Sequence, residues 1–298
     1  MRAADAPRDN LRGGAWLIAD LLLNICSLSI VKWLGAEYPA AQIVFLRALA
    51  GLLLILPWIW RARRMFRQVP DLGLHALRIA LSVVTLTASF YAISRVPLAL
   101  FTAIGFTRPV MTMIMAAWLL RETIGSKRWL AAGIALLGVV IAVDPGAAPL
   151  SSGLLALGVV VLTGSGAVIA TRRLRAAPSI VLMAFYTGGL ALLSAPFALA
   201  HWVPVPGSHL LPLCVMGVLA QVAQLCFLRA HFYGEAGFLS VLSYLSLILS
   251  VFVGYVAFDE IPGVSFAVGA VLVVGAALWV NLAALERRPR GGRARPKP

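Results

Sequence analysis

The chain has 298 residues, 61% of them hydrophobic and 12% charged. A soluble surface draws on about a quarter charged residues, so a soluble domain is excluded and an integral membrane protein is implied. The 25 Lys and Arg against 11 Asp and Glu leave a net charge of +14, but this charge is spread over many short segments instead of one folded face, which excludes nucleic acid as the partner it serves.

Crossing about 30 Å of hydrocarbon takes about 20 apolar residues. Low-charge stretches of that length predict ten spans, at 13–33, 40–60, 74–94, 99–119, 127–143, 153–171, 180–200, 210–229, 238–258 and 264–284. The linkers are short, so no extramembrane domain fits and any chemistry must lie inside the bundle.

In chain order, the first span carries Asp20 with Asn24 one turn later, and the second carries Arg47. The third has Arg78, Ser82, Thr85 and Ser89 at steps of four, three and four, which share one helical face. Thr102, Gly105, Pro109, Thr112 and Ala116 form such a face in the fourth, with Phe106 and Arg108 beside it. Pro109 predicts a kink near the middle of that span, because proline removes a backbone hydrogen bond and clashes with the preceding turn. The eighth span holds Gln221 and Gln224, whose amides would not face lipid unpartnered, and the ninth holds Ser240, Ser243, Tyr244, Ser250 and Gly254. Such small, hydroxyl-bearing stripes either let helices approach closely or line a wet cavity.

The halves resemble each other. With a shift of 138 residues and no gaps, 90–106 falls on 228–244 and 115–125 falls on 253–263, pairing Glu122 with Glu260, Gly125 with Gly263, Thr102 with Ser240 and Phe106 with Tyr244. An odd number of spans per copy turns the second copy upside down, the arrangement of alternating-access transporters. The predicted organisation is a cytoplasmic tail over 1–12, repeats over 13–146 and 147–284, and a basic tail over 285–298. With the N-terminus cytoplasmic, only Lys32 and Arg95 fall in outer loops, so both termini are placed inside. Cys26, Cys214 and Cys226 lie within spans and imply no disulfide framework. The eight tryptophans fall near span ends, where an aromatic belt sits.

Charges inside hydrocarbon are expensive, and Asp20 and Arg108 lie at depths about 5 Å apart. Either a structural ion pair or a substrate site accounts for them. The expected substrate-binding residues are Arg108, Asp20, Asn24, Ser82, Thr85, Ser89, Thr102, Phe106, Gln221, Gln224, Ser240, Ser243 and Tyr244, with Gly105, Pro109 and Gly254 in gating. No catalytic group, cofactor or metal is expected. The partners are a small-molecule substrate and membrane lipids, and the chain is expected to be a monomer. A lipid-modifying enzyme would draw on His231 and Glu235, four residues apart, together with His75.

Ten spans in two inverted halves, an Arg within FLRALAG (45–51) and the connection LLRETIGSKRWLAAGIALLGVVI (119–141) resemble the EamA branch of the drug/metabolite transporter superfamily. AFDEIPGVSFAVGAVLVVGAAL (257–278) shows the same marker more weakly, and Phe185 stands where the first half has Arg47. Within that superfamily the chain resembles bacterial aromatic amino-acid exporters. The resemblance implies a central cavity walled by the first, third, fourth, sixth, eighth and ninth spans, and export of amino acids or related metabolites and drugs. Other metabolites or organic cations are the alternative cargo. Glu122 and Glu260 match the family marker and are expected to cap or join helices.

Overall fold

The computed structural model describes residues 9–67, 69, 71–120, 126–143, 151–174, 177–234, 238–239 and 242–286. Over these residues the chain is all-helical. The helices are α1 (Asn10–Leu34), α2 (Ala40–Arg61), α3 (Leu72–Ile93), α4 (Leu98–Gly105), α5 (Arg108–Leu120), α6 (Ser126–Val143), α7 (Ser152–Arg173), α8 (Ser179–Ala200), α9 (Gly207–Tyr233), α10 (Leu245–Phe258) and α11 (Val264–Glu286). Among the described residues seven stretches are long and apolar enough to cross a membrane, counting 98–119 as one, and three shorter apolar helices fall at the predicted fifth, ninth and tenth spans.

Local chemistry sets the helix starts. Asp9 caps α1 by accepting from the Arg12 amide at 3.0 Å, and Ser151 caps α7 by accepting from Leu154 at 3.2 Å. Pro39, Pro97, Pro178 and Pro206 stand directly before α2, α4, α8 and α9, where the ring breaks the preceding chain and leaves the first turn free to form. Asp259 ends α10 in the left-handed region at φ 53°, a conformation that Asp tolerates better than most side chains. That turn carries Glu260 back toward α4, with its amide donating to Gly254 O at 3.0 Å.

The fourth span is two helices. α4 closes with Thr107 N donating to Ile104 O at 2.9 Å, and α5 begins with Met111 N donating to Thr107 O at 3.0 Å. Pro109 is the second residue of α5, where a missing N–H leaves no intrahelical bond unmade, so the expected mid-helix kink is a break placed two residues earlier. The ninth span is interrupted at the equivalent place, because α10 begins after Ser243 and Tyr244 and Tyr244 falls on Phe106 under the 138-residue shift.

Packing follows a pattern. α1 lies along α9, α3 along α7, α2 along α8 and α6 along α11. Under the repeat shift the first two pairs exchange and the last two map onto themselves, as they would in halves related by a two-fold axis. Glycines make the seams close: a Cβ on Gly13 would stand 2.5 Å from Gly234 Cα, and one on Gly269 would press on the Gly138 carbonyl and Ala142. Leu34, Ile43, Val44, Ile93, Leu98, Leu190 and Met216 form the largest buried cluster, and apolar side chains such as Leu192, Ile248 and Val271 cover the outside. All eight tryptophans are exposed, in keeping with an aromatic belt.

Candidate functional site

The two interrupted spans meet at their breaks. Phe106 and Tyr244 pack with ring centroids 4.9 Å apart and planes tilted by 34°. Gly105 beside them faces open space, with nothing within 4 Å of where a Cβ would stand. Thr102 Oγ1 donates to Leu98 O at 3.0 Å, within its own helix.

At the end of the bundle where α1, α3 and α10 finish, Lys32 Nζ lies 2.7 Å from Glu260 Oε1. Lys32 also donates to Ile93 O at 3.1 Å and Val96 O at 2.7 Å, at the carbonyl end of α3. The other Glu260 oxygen accepts from the Leu98 amide at 2.7 Å, which caps α4. Glu260 therefore both caps and joins helices, in line with the family-marker expectation, while Glu122 lies outside the described residues. Gly254, expected in gating, makes room for this carboxylate: a Cβ there would stand 2.6 Å from Glu260 Oε2. At the same end Tyr38 Oη lies 2.7 Å from His209 Nδ1. Burial, and next the charge of Glu37, raise the Tyr38 pKa above its ordinary value.

Asp20 and Arg108 form no ion pair, contrary to what their matching depths allowed. Asp20 is buried on α1 and accepts from Asn24 Nδ2 at 2.7 Å, with Asn24 itself exposed. Arg108 lies against α7 instead, its guanidinium in the space a side chain on Gly164 would fill and its carbonyl accepting from Ser165 Oγ at 3.2 Å. Depth along two helices says nothing about the angle each presents, and here the bundle places α7 beside α5.

The third-span stripe meets α7 at Thr85, whose Oγ1 lies 2.7 Å from Thr163 Oγ1. Ser82, Thr85 and Ser89 donate within α3 to the carbonyls of Arg78, Leu81 and Thr85, each 2.7 Å away, and Arg78 of the same stripe lines the cavity described next. Ser240 and Glu235 lie outside the described residues, as do the side chains of His231 and Pro109. Ser243 sits at the break before α10, its carbonyl accepting from Ser246 Oγ at 2.8 Å.

A cavity with polar side chains among its walls is lined from α2, α3, α7, α8 and α9. It has a volume of 380 Å³ and its walls include Arg47, Arg78, Thr171, Tyr186, Gln221 and Gln224. Gln221 Nε2 donates to Gly51 O at 3.2 Å and to Thr187 Oγ1 at 3.4 Å, and Gly51 has no side chain to displace it. Arg78 donates to Thr171 Oγ1 at 2.8 Å and Leu182 O at 3.1 Å, and its guanidinium lies 5.6 Å from the Tyr186 ring. Gln221 and Gln224 were expected at the site, whereas Tyr186 was not. It follows Phe185, the position compared with Arg47 in the repeat, and as one aromatic among many in the spans it gave no distinct signal. Among the described residues no group of three or more His, Cys, Asp and Glu is placed to hold a metal.

This geometry can be set beside known proteins. The EamA-like transporter family matches the chain twice, over residues 16–143 and 150–282. The chain is similar to a protein of Rickettsia felis named S-adenosylmethionine uptake transporter, 24% identical over 277 residues that cover 93% of this chain and 94% of that one. It is 25% identical to a riboflavin transporter of Vibrio cholerae, over 89% of this chain and 91% of that one. It is 28% identical to the pseudopaline exporter CntI of Pseudomonas aeruginosa, over 95% and 99%. A solved crystal structure shares the fold with a TM-score of 0.63 at 21% identity, covering 94% of this chain and 99% of the other. None of these names is that of an amino-acid exporter, so the narrower resemblance drawn from the sequence gives way to the broader one. With both of its halves matched, this multi-pass membrane chain belongs to the EamA-like transporter family.

Proposed function

We propose that the chain is an alternating-access carrier for a small organic solute in the bacterial inner membrane, a monomer of ten spans with both termini cytoplasmic and the repeats over 13–146 and 147–284 inverted. The observation that carries this reading is the pair of matched interruptions, at Phe106 and Tyr244, brought into contact where the halves meet. Interrupted spans at a repeat interface are where such carriers bind cargo and pivot. Rocking of one half against the other would expose the 380 Å³ cavity to each side in turn.

Amino-acid export is the narrower reading, and it rests on sequence resemblance alone. The named relatives handle other solutes, in both directions, and they differ in charge: S-adenosylmethionine carries a sulfonium whereas riboflavin is uncharged. The test is exchange in proteoliposomes with labelled phenylalanine, S-adenosylmethionine and riboflavin. A carrier shows faster uptake of a labelled solute when the same unlabelled solute is loaded inside. Uptake that ignores internal solute is the behaviour of a channel and would overturn the reading.

A further inference from the structure

Three arginines inside the bundle have no acidic partner among the described residues. Among the described residues the ion pairs are Arg12–Asp9 and Lys32–Glu260, His209 Nδ1 lies 3.4 Å from Glu37, and no carboxylate reaches Arg47, Arg78 or Arg108. Asp20 is occupied by Asn24 on α1. Arg47 lies over the Phe90 ring at 5.8 Å and makes no hydrogen bond among the described residues, Arg78 faces Tyr186, and Arg108 rests against Gly164. An arginine in hydrocarbon is expensive even on insertion scales, so three without a carboxylate among the described residues demand an explanation.

A scaffold role does not supply one. The repeat equivalents of Arg47, Arg78 and Arg108 are Phe185, Met216 and Ser246, so one half of the same fold stands without any of these charges. The three also lie at different heights. From the helix bounds, Arg47 is about 10 Å inside one end of the bundle, Arg78 about 9 Å inside the other, and Arg108 between them at the break before α5. On α7 their neighbours Gly164 and Thr171 are seven residues apart, about 10 Å along the axis. Arg47 and Arg78 line the 380 Å³ cavity with Tyr186, Gln221 and Gln224, a wall that offers hydrogen bonds and no negative charge, and Arg108 stands outside that lining, against α7.

We propose that Arg47, Arg78 and Arg108 form the binding path for an organic anion bearing at least two acidic groups, carboxylate or phosphate, bridged between arginines at different heights past Tyr186. Planar guanidinium forks match both acidic groups, and a multiply charged solute supplies the counter-charge that the described residues do not place beside these arginines. Gln221 and Gln224 meet the solute's uncharged polar groups. This inference rests on the carrier reading and deepens it by naming the solute class.

The test is a melting titration of the full-length purified chain with citrate, fructose 1,6-bisphosphate, phenylalanine, choline and riboflavin. Citrate or fructose 1,6-bisphosphate should raise the melting midpoint saturably, the stronger of the two telling carboxylate from phosphate, while the zwitterion, the cation and the uncharged solute should not. Arg78→Gln and Arg108→Gln should each weaken that binding by about tenfold or more, with Lys substitutions retaining part of it. Because a neutralised Arg108 could impair folding, Arg47→Gln is read in parallel. Stabilisation by neither acid, equal stabilisation by choline, or unchanged acid binding in the Arg47 and Arg78 variants overturns the inference. Counterflow of the binding acid in proteoliposomes separates the two levels: acid binding without exchange overturns the carrier reading and keeps the site, whereas exchange of choline with no acid binding overturns the site and keeps the carrier.

Discussion

Phe106 and Tyr244 occupy the same position in two halves of the chain, 138 residues apart, and their rings pack against each other at 4.9 Å between centroids. Each sits where its span is interrupted, so the contact joins two breaks. A double-mutant cycle of Phe106→Leu and Tyr244→Leu, read by melting, should give a coupling of about 0.5–1.5 kcal/mol, the value for packed aromatic pairs. Each single variant should slow solute exchange by more than its loss of stability accounts for. Strict additivity would remove the contact from the mechanism.

Gly105 faces open space beside that contact. Gly105→Ala should therefore keep or slightly raise stability, since alanine is the better helix former by about 1 kcal/mol. Gly105→Trp should fold and fail to transport because the indole occupies the space closure needs. Wild-type exchange rates in the Trp variant, or in Ser243→Trp, would place the pathway elsewhere.

Lys32 and Glu260 tie α1 and the end of α3 to α4 and the end of α10. The repeat equivalent of Lys32 is Ala170, so the opposite end of the bundle has no lysine at the matching place. Glu260→Gln should loosen this end selectively, and a loss of about 1.4 kcal/mol would raise the open population tenfold. A single reporter cysteine at Thr102 in a cysteine-free background should then react correspondingly faster with a membrane-impermeant maleimide added from the side opposite the cytoplasm. Unchanged labelling in Glu260→Gln and Lys32→Met would show that the ion pair does not hold this end closed.

Gly269 and Gly138 set the close seam of α6 and α11, away from the cavity. Gly269→Val should cost about 1–3 kcal/mol through overpacking, lowering the melting midpoint while leaving solute affinity unchanged. By contrast Gly164→Ala places a Cβ 2.6 Å from Arg108 Nη2, so the guanidinium must shift. Solute binding should fall several-fold with little change in melting, a split that tells pathway glycines from packing glycines.

Topology has its own check. Met65→Cys, on the exposed turn after α2, should react with impermeant reagent from the cytoplasmic side, and Trp202→Cys, after α8, from the other. Labelling of both from one side would overturn the proposed orientation.

Low charge and long apolar runs determined that this chain lives in a membrane, because hydrocarbon tolerates little else. The internal repeat was legible too, since two copies keep size and polarity at matching positions even where identities are few. The breaks were half legible. Pro109 announces one, yet the ninth span has Leu247 at the matching place and is interrupted all the same, so packing at the meeting of the two halves accompanies a break that no proline signals. Which polar residues share a cavity was decided by tertiary structure alone. Depth can be counted along a helix, but rotation about its axis and the identity of its neighbour cannot: Arg108 turned to Gly164, and Thr85 to Thr163 on α7. Arg47, Arg78 and Tyr186 lie far apart in sequence and stand together only because α2, α3 and α8 pack around one space.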